Sequence, residues 1–299
     1  MHHFTELNYE AICNTLISVL LASKNAGNAI LEVYNTPNFI VEHKDDRSPL
    51  TLADKESHRI IADRLSVHPL NLFPVLSEEG RDIPFEERKS WDLFWLVDPL
   101  DGTKEFINRN GEFTVNIALI DKDRPVLGVV YVPVKDIFYY CAVGIGAYKL
   151  SMGRAAMDEQ AEGGGSRYFE GLINASERLD IKEKFYGGEG DASGISVIGS
   201  RSHMSKETEE YINGLKDRYG GVEFIAAGSS LKFCLVAEGS ADIYPRFGPT
   251  MEWDTAAGQA VVEQAGGKVL NMESSEPLKY NKENLLNPYF VAGKTDFIL

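Results

Sequence analysis

The chain has 299 residues, 43% of them hydrophobic, which is enough for two domains or one large layered one around a sizeable core. Its net charge of −15, from 45 acidic and 30 basic residues, argues against a nucleic-acid polymer as partner, because such binders carry basic patches; a small phosphate ester stays open, since bound cations offset clustered carboxylates locally. Three widely spaced cysteines, Cys13, Cys141 and Cys234, give neither a metal-ligand spacing nor a disulfide framework, and with no secretory signal and no apolar run of the roughly 18 residues a membrane span needs, the expected setting is the cytoplasm.

Apolar residues recur at helical spacing over 8–34, among them Ile12, Leu16, Leu20, Ile30 and Tyr34, so an amphipathic helix is expected there, ending before Pro37. Residues 39–41 could form a strand, and 42–55 read as a polar loop entering a second helix that runs through Ile60, Ile61 and Leu65, with Thr51 or Asp54 as its N-cap. A short apolar strand from Phe73 then delivers Glu78 and Glu79 at its end. Neighbours there point in different directions, so one of the two faces a pocket while the other supports it, or both belong to a solvated acidic turn. Residues 82–89 are charged and read as an exposed connection.

The stretch 94–103 carries the strongest chemical signal. Residues 94–97 have the look of a buried strand, and Pro99 and Gly102 then make a turn that holds Asp98 and Asp101. Two carboxylates at this spacing on a strand end can converge on one hard cation, with the Leu100 carbonyl as a further oxygen and the Thr103 hydroxyl beside it. The plainer reading is an acidic turn capping a helix that begins near Thr103.

Strands are expected over 113–120, 126–132, 137–142 and 147–150, as an antiparallel meander covered by helices on one face. Residues 152–194 are rich in glycine and show no lasting amphipathic pattern, which gives three parts: an α+β domain over 1–152, a linker or insertion over 153–194, and an α/β domain over 195–299. In the last part strands (195–198, 222–226, 241–244, 268–270, 289–291) alternate with helices (206–216, 229–238, 254–265), and no internal repeat is present. Asp254 opens a helix rich in small residues, either as an N-cap or as a carboxylate that completes a cation site begun upstream. Ser200 and His203 lie between a strand and a helix, where backbone amides could meet an anion; Ser202 or Ser205 could equally be an ordinary cap. Ser229 and Lys232 place a hydroxyl and a cation on one helix face, and Arg246 sits on a loop bounded by Pro and Gly.

Three fragments, Leu76-Ser77-Glu78-Glu79, Trp95-Leu96-Val97-Asp98-Pro99-Leu100-Asp101-Gly102-Thr103 and Trp253-Asp254-Thr255-Ala256-Ala257-Gly258, together resemble the signatures of the inositol monophosphatase-like, lithium-sensitive phosphatase superfamily. Residues 104–120, 228–239 and 244–250 further resemble the CysQ-type 3′(2′),5′-bisphosphate nucleotidases, and the likeness runs from about residue 26 to the end, weakest over 152–194. The resemblance implies a layered αβαβα sandwich of α+β and α/β parts. It also implies Mg²⁺ held by Glu78, Asp98, the Leu100 carbonyl, Asp101 and Asp254, with Glu79 in support. Thr103 and Asp54 would orient the attacking water and take up its proton, which requires a hydrogen bond between them. Gly102, Thr103, Ser200, His203, Ser229, Lys232, Arg246 and Asp254 would bind the substrate, Arg246 at the 5′-phosphate.

No covalent phosphoenzyme is implied, because Ser77 is the only serine, cysteine or histidine in the three signatures and no base accompanies it there except the metal-binding acids. The implied reaction is hydrolysis of adenosine 3′,5′-bisphosphate, and of 3′-phosphoadenylyl sulfate, to clear a by-product of sulfate assimilation. An inositol or fructose phosphatase is the alternative, and a non-catalytic nucleotide or metal sensor a more distant one. Monomer or homodimer, and attachment to the cytoplasmic face of an inner membrane, are left open by the sequence.

Overall fold

Helix α1, Tyr9–Tyr34, organises the first half of the chain. The computed structural model describes residue 4 and residues 8–36, 41–43, 49–67, 73–151, 164–181, 194–200 and 205–298. Asn8 caps α1 by accepting the Ala11 amide at 2.8 Å. By length and composition alone α1 could cross a membrane, whereas no apolar run long enough for a span is expected from the sequence. Its stripe of Leu16, Leu20 and Ile30 is instead buried in the core, as in a central helix of a globular fold.

Two short strands follow, β1 (Val41–His43) and β2 (Pro49–Thr51), paired antiparallel with Val41 opposite Thr51. The sequence predicts one strand at 39–41 and a loop after it. Three-residue strands hold too few alternations for a period of two to stand out. Helix α2 (Leu52–Val67) starts at once, so Asp54 lies inside its first turn.

Strand β3 (Val75–Ser77) pairs parallel with β4 (Leu93–Asp101), and α3 (Phe85–Arg88) connects them. The connection over 82–89 is mostly exposed, as expected, but it contains this short helix and two buried side chains, Ile83 and Arg88. Arg88 is buried, and its guanidinium donates to Asn281 Oδ1 and to the carbonyls of Lys282 and Glu283. Those partners lie far along the chain, where local composition carries no sign of them.

Helix α4 (Thr103–Ile107) leads into β5 (Thr114–Asp121), β6 (Arg124–Val132), β7 (Ile137–Ala142) and β8 (Gly146–Ser151), the expected antiparallel meander. Beyond it, helix α5 (Gly165–Ala175) and strand β9 (Glu177–Leu179) occupy part of the stretch read as a patternless linker. Phe169 and Leu172 of α5 pack into the core around α1, and β9 extends the sheet alongside β8. Residues 152–163 and 182–193 lie outside the described residues. The first sheet has seven strands in the order β3-β4-β5-β6-β7-β8-β9.

The second half alternates as expected: β10 (Ile195–Gly199), α6 (Lys206–Tyr219), β11 (Val222–Ala226), α7 (Leu231–Ala237), β12 (Ile243–Arg246), α8 (Glu252–Gln264), β13 (Lys268–Asn271), β14 (Phe290–Gly293) and α9 (Thr295–Ile298). Its mixed sheet has five strands in the order β11-β10-β12-β14-β13. Ser205 caps α6 through the Thr208 amide at 3.3 Å.

The layers follow from which side chains share a core. Trp95, Val97, Ile117 and Val129 face α1 and α2 on one side of the seven-stranded sheet, while their neighbours Phe94, Leu96, Ala118 and Val130 face α7 and α8 on the other. Both faces of the central strands are therefore apolar, and they read as continuous hydrophobic runs. Ile212 and Leu215 of α6 cover the outer face of the five-stranded sheet. The result is the αβαβα sandwich.

Helix α8 is seated very closely. A Cβ on Gly128 of β6 would stand 2.7 Å from the Ala257 carbonyl and 2.8 Å from Ala260 Cβ, and one on Gly258 would stand 2.4 Å from the Phe233 ring. Only glycine allows the helix to lie this near the sheet and α7.

Candidate active site

The pairing of β3 with β4 sets Ser77 opposite Val97, and the Glu78 amide continues the ladder by donating to the Val97 carbonyl at 3.1 Å. Glu78 therefore leaves its strand beside Asp98. The ladder to β5 is interrupted between Asp98 and Asp101, so the end of β4 bulges. Asp98 Oδ1 accepts the Leu100 amide at 3.1 Å, and Ser57 Oγ of α2 donates to the Pro99 carbonyl at 2.7 Å. Leu100 buries its side chain in the core, so what it offers the site is its backbone. Gly102 follows in the left-handed region, at φ 91°, and starts α4 at Thr103.

Asp254 arrives from the other half, in the first turn of α8 rather than at its cap. Its carboxylate accepts the Met251 amide at 2.8 Å, and its carbonyl accepts Ser230 Oγ at 2.7 Å. These acids share a cleft of about 550 Å³, which also takes in Gly102, Thr103, Ser200, Ser229, Lys232 and Arg246. That volume suits a small organic molecule better than a bare anion. Asp54 is buried on α2 and does not line the cleft. Its negative charge nevertheless acts on Asp98. His203 lies outside the described residues.

Burial pushes the Asp98 carboxyl well above the ordinary carboxylate range, and the charges of Glu78, Asp101, Asp254 and Asp54 push it further. Burial likewise raises Asp254 to about 8, helped by Asp101 and Glu78. Such an accumulation of like charge in a buried place is what a hard divalent cation would offset, and every donor present is an oxygen. Among the described residues no three acidic, histidine or cysteine side chains gather closely enough to close a metal shell alone. An all-oxygen donor set of this kind fits a hard divalent cation that completes its shell with waters or substrate oxygens.

The same cleft also carries cationic side chains. Lys232 is buried, donates to the Ser229 carbonyl at 2.6 Å and stands 5.3 Å from the centre of the Tyr244 ring. Burial lowers its pKa to about 8 against the opposing pull of Asp101. Arg246 donates through Nη2 to the Pro249 carbonyl at 3.2 Å, while its buried Nε has no partner among the described residues. A guanidinium that lines a cleft is suited to hold an anion such as a phosphate. Ser229 does not share a helical face with Lys232 as expected: it precedes α7 at φ 45°, with Oγ donating to the Glu112 carbonyl at 2.7 Å.

Several supporting residues escape sequence reasoning. Ser230 donates its amide to Asp101 Oδ2 at 2.5 Å, and Asn116 reaches the Ser230 hydroxyl at 3.0 Å. Glu112 accepts the Gly228 amide at 2.9 Å, which fixes the loop carrying Ser229. Ser77 does have a base nearby, from outside the three signatures: His58 Nδ1 lies 2.9 Å from its Oγ. Ser77 is buried and does not line the cleft, so the pair braces the strand end and does not form a nucleophile. Glu79 also does not line the cleft; its charge acts on His58.

A model of the inositol monophosphatase family matches residues 14–294. The chain belongs to the inositol monophosphatase family. Within it, the 3′(2′),5′-bisphosphate nucleotidase CysQ of Escherichia coli strain K12 is 45% identical over 278 residues, which are 92% of this chain and 98% of that protein. The crystal structure of CysQ from Bacteroides thetaiotaomicron, itself described as a bacterial member of the family, is 45% identical and superposes with a TM-score of 0.80 over 97% of this chain and 99% of that one. SuhB from Bartonella henselae, at 23% identity, has a TM-score of 0.68 over 93% of each chain and shares the fold. The family and the sandwich read from the signature fragments are both borne out.

Proposed function

We propose that the cleft binds adenosine 3′,5′-bisphosphate and hydrolyses its 3′-phosphate, giving AMP and phosphate in the clearance of a by-product of sulfate assimilation. The observation that carries this reading is the presence, in one cleft, of the carboxylates of Glu78, Asp98, Asp101 and Asp254 together with the cationic side chains of Lys232 and Arg246. A substrate with one phosphate needs only the first of these, whereas a bisphosphate uses both. The 45% identity to CysQ nucleotidases supports the same substrate over an inositol or fructose phosphate, and 3′-phosphoadenylyl sulfate is a second candidate of similar charge.

Metal-dependent catalysis belongs to the family, and Glu78, Asp98, the Leu100 carbonyl, Asp101 and Asp254 would hold Mg²⁺ in this chain. When bound, the cations supply Lewis acidity that makes water a nucleophile near neutral pH and offsets charge on the phosphate. The Thr103 hydroxyl at the start of α4 orients the attacking water, and the Asp54 carboxylate takes its proton through Thr103. The water oxygen bonds to phosphorus as the bond to the 3′-oxygen breaks, and that oxygen takes a proton from solvent water to become the 3′-hydroxyl of AMP, so no side chain is phosphorylated. Gly102 lets the chain turn under the phosphate, Lys232 and Arg246 hold the 5′-phosphate, and Ser200 and Ser229 flank the nucleoside. In this reading residues 1–152 supply most of the catalytic machinery and 195–299 most of the specificity.

With Mg²⁺ present, the purified protein releases phosphate from adenosine 3′,5′-bisphosphate faster than from inositol 1-phosphate, and Li⁺ inhibits it. Equal or faster turnover of inositol 1-phosphate removes the nucleotidase reading. Replacing Arg246 with Ala raises KM for the bisphosphate by about 10- to 100-fold, the scale of one lost charge-assisted contact, with a smaller change in kcat. Adenosine 3′-monophosphate, which lacks the 5′-phosphate, distinguishes a specific contact from general damage: its KM moves little. A matching rise for both substrates would place Arg246 elsewhere than at the 5′-phosphate.

A further inference from the structure

The groups that join the two halves of the site form one buried relay. Thr114 Oγ1 donates to Asn116 Oδ1 at 2.9 Å, and Asn116 Nδ2 donates to Ser230 Oγ at 3.0 Å and, more weakly, to Asp101 Oδ2 at 3.5 Å. Ser230 Oγ is then free to donate to the Asp254 carbonyl at 2.7 Å, while the Ser230 amide donates to Asp101 Oδ2 at 2.5 Å. The direction of the relay is fixed by Asp101. A flipped Asn116 amide would turn its oxygen toward that carboxylate.

All three relay residues are buried, at 0% exposure for Thr114, 1% for Asn116 and 2% for Ser230, so none of these bonds is exchanged for water without cost. Asp101 ends strand β4 in the first half of the chain, and Asp254 belongs to α8 in the second. The two carboxylates repel one another, and each raises the pKa of a neighbouring acid in the cleft. Ser230 reaches both residues: its amide donates to the Asp101 carboxylate, and its hydroxyl donates to the backbone carbonyl of Asp254.

We propose that Ser230 is a positioning residue that holds Asp101 and Asp254 in register across the two halves, and that Asn116 and Thr114 orient its hydroxyl for this task. This rests on the proposal that both aspartates bind the divalent cation, and it adds that cation affinity is set by a neutral hydroxyl which itself binds no metal. Ser230→Ala removes the link to Asp254 and leaves the Asn116 N–H short of its main acceptor, but keeps the backbone bond to Asp101.

The test reads Mn²⁺ binding directly, by calorimetry or by the electron paramagnetic resonance signal of free Mn²⁺, on the full chain without nucleotide. Ser230→Ala binds Mn²⁺ about tenfold more weakly than wild type, the size of one lost buried hydrogen bond. Thr114→Val, which keeps shape and removes only the first donor of the relay, weakens binding in the same direction by about threefold. The Asn116→Ala and Ser230→Ala effects do not add when combined, because both cut one relay. Far-ultraviolet circular dichroism confirms that the variants are folded. Unchanged Mn²⁺ affinity in folded Ser230→Ala and Thr114→Val overturns the proposal, as does full additivity. Wild type that binds no Mn²⁺ overturns both this proposal and the cation reading of the aspartates. Mn²⁺ binding that responds as stated, in a protein that does not hydrolyse the bisphosphate, rejects the substrate and leaves the role of Ser230 standing.

Discussion

Asp101→Asn lowers phosphate release from adenosine 3′,5′-bisphosphate by on the order of 10³-fold or more in saturating Mg²⁺, and leaves the protein folded. One oxygen of Asp101, Oδ2, is committed to the Ser230 amide at 2.5 Å. An asparagine that keeps this bond with its carbonyl oxygen turns its NH₂ toward the cation site, so the substitution removes a negative charge and adds a donor where an acceptor is needed. Asp101 stands at a strand end and is only partly buried, and the neutral isostere relieves repulsion with Asp98 and Asp254, so stability does not suffer. Steady-state kinetics with a thermal melt on the same sample reads both parts. Turnover within tenfold of wild type would remove Asp101 from the catalytic machinery.

The second large effect is on stability, and its sign depends on pH. Burial holds Asp254 at about 8, whereas an aspartate in the unfolded chain ionises near 3.8. Between those values the metal-free folded chain binds more protons than the unfolded chain, so its stability falls as pH rises, and Asp98 acts in the same direction. Lys232, lowered to about 8, works in the opposite sense only above that pH. Half-buried His58, lowered below 6.5 by burial, opposes the trend only on the acid side of 6.5. From pH 6.5 to 8 the melting temperature of the chelator-treated protein therefore falls, and the increment given by Mg²⁺ grows over the same range.

Each tenfold change in an acid constant corresponds to about 1.4 kcal/mol, and each kcal/mol to about 2–4 °C in a protein of this size class, so the effect amounts to several degrees. Mg²⁺ that binds only the folded site adds stability by mass action. Scanning calorimetry at fixed ionic strength separates this from salt screening. Metal-free stability that stays level or rises across the window would show that the carboxylates do not gather as described.

The parts of the fold legible in the sequence are those whose cause is local. Strands β5 to β8 are long, apolar and separated by turn residues, so their order and antiparallel pairing follow from the chain alone. The α5 helix was hidden because it begins within a run of glycines, and the buried state of Arg88 because its acceptors lie near residues 281–283.

The site divides in the same way. Asp98 and Asp101 were visible from spacing on one turn, and Glu78 and Asp254 from matching positions at other element ends. Ser230 and Glu112 gave no separate signal, because their roles exist only once two distant loops meet. Asn116 did leave a trace. It interrupts the apolar run Val115-Asn116-Ile117 in a strand buried on both faces, and a polar residue there requires a partner.

The bare contact between Gly128 and α8 gives the molecule a mechanical character. Asp254 is mounted on a rod pressed against a plate with no clearance, so the rod cannot yield sideways without lifting from the sheet. Arg246 and the residues up to Thr250, on the specificity side of the cleft, lie outside that contact. Substrate preference in this architecture can therefore drift while the cation-binding geometry stays fixed, since the two are built on parts of unequal stiffness.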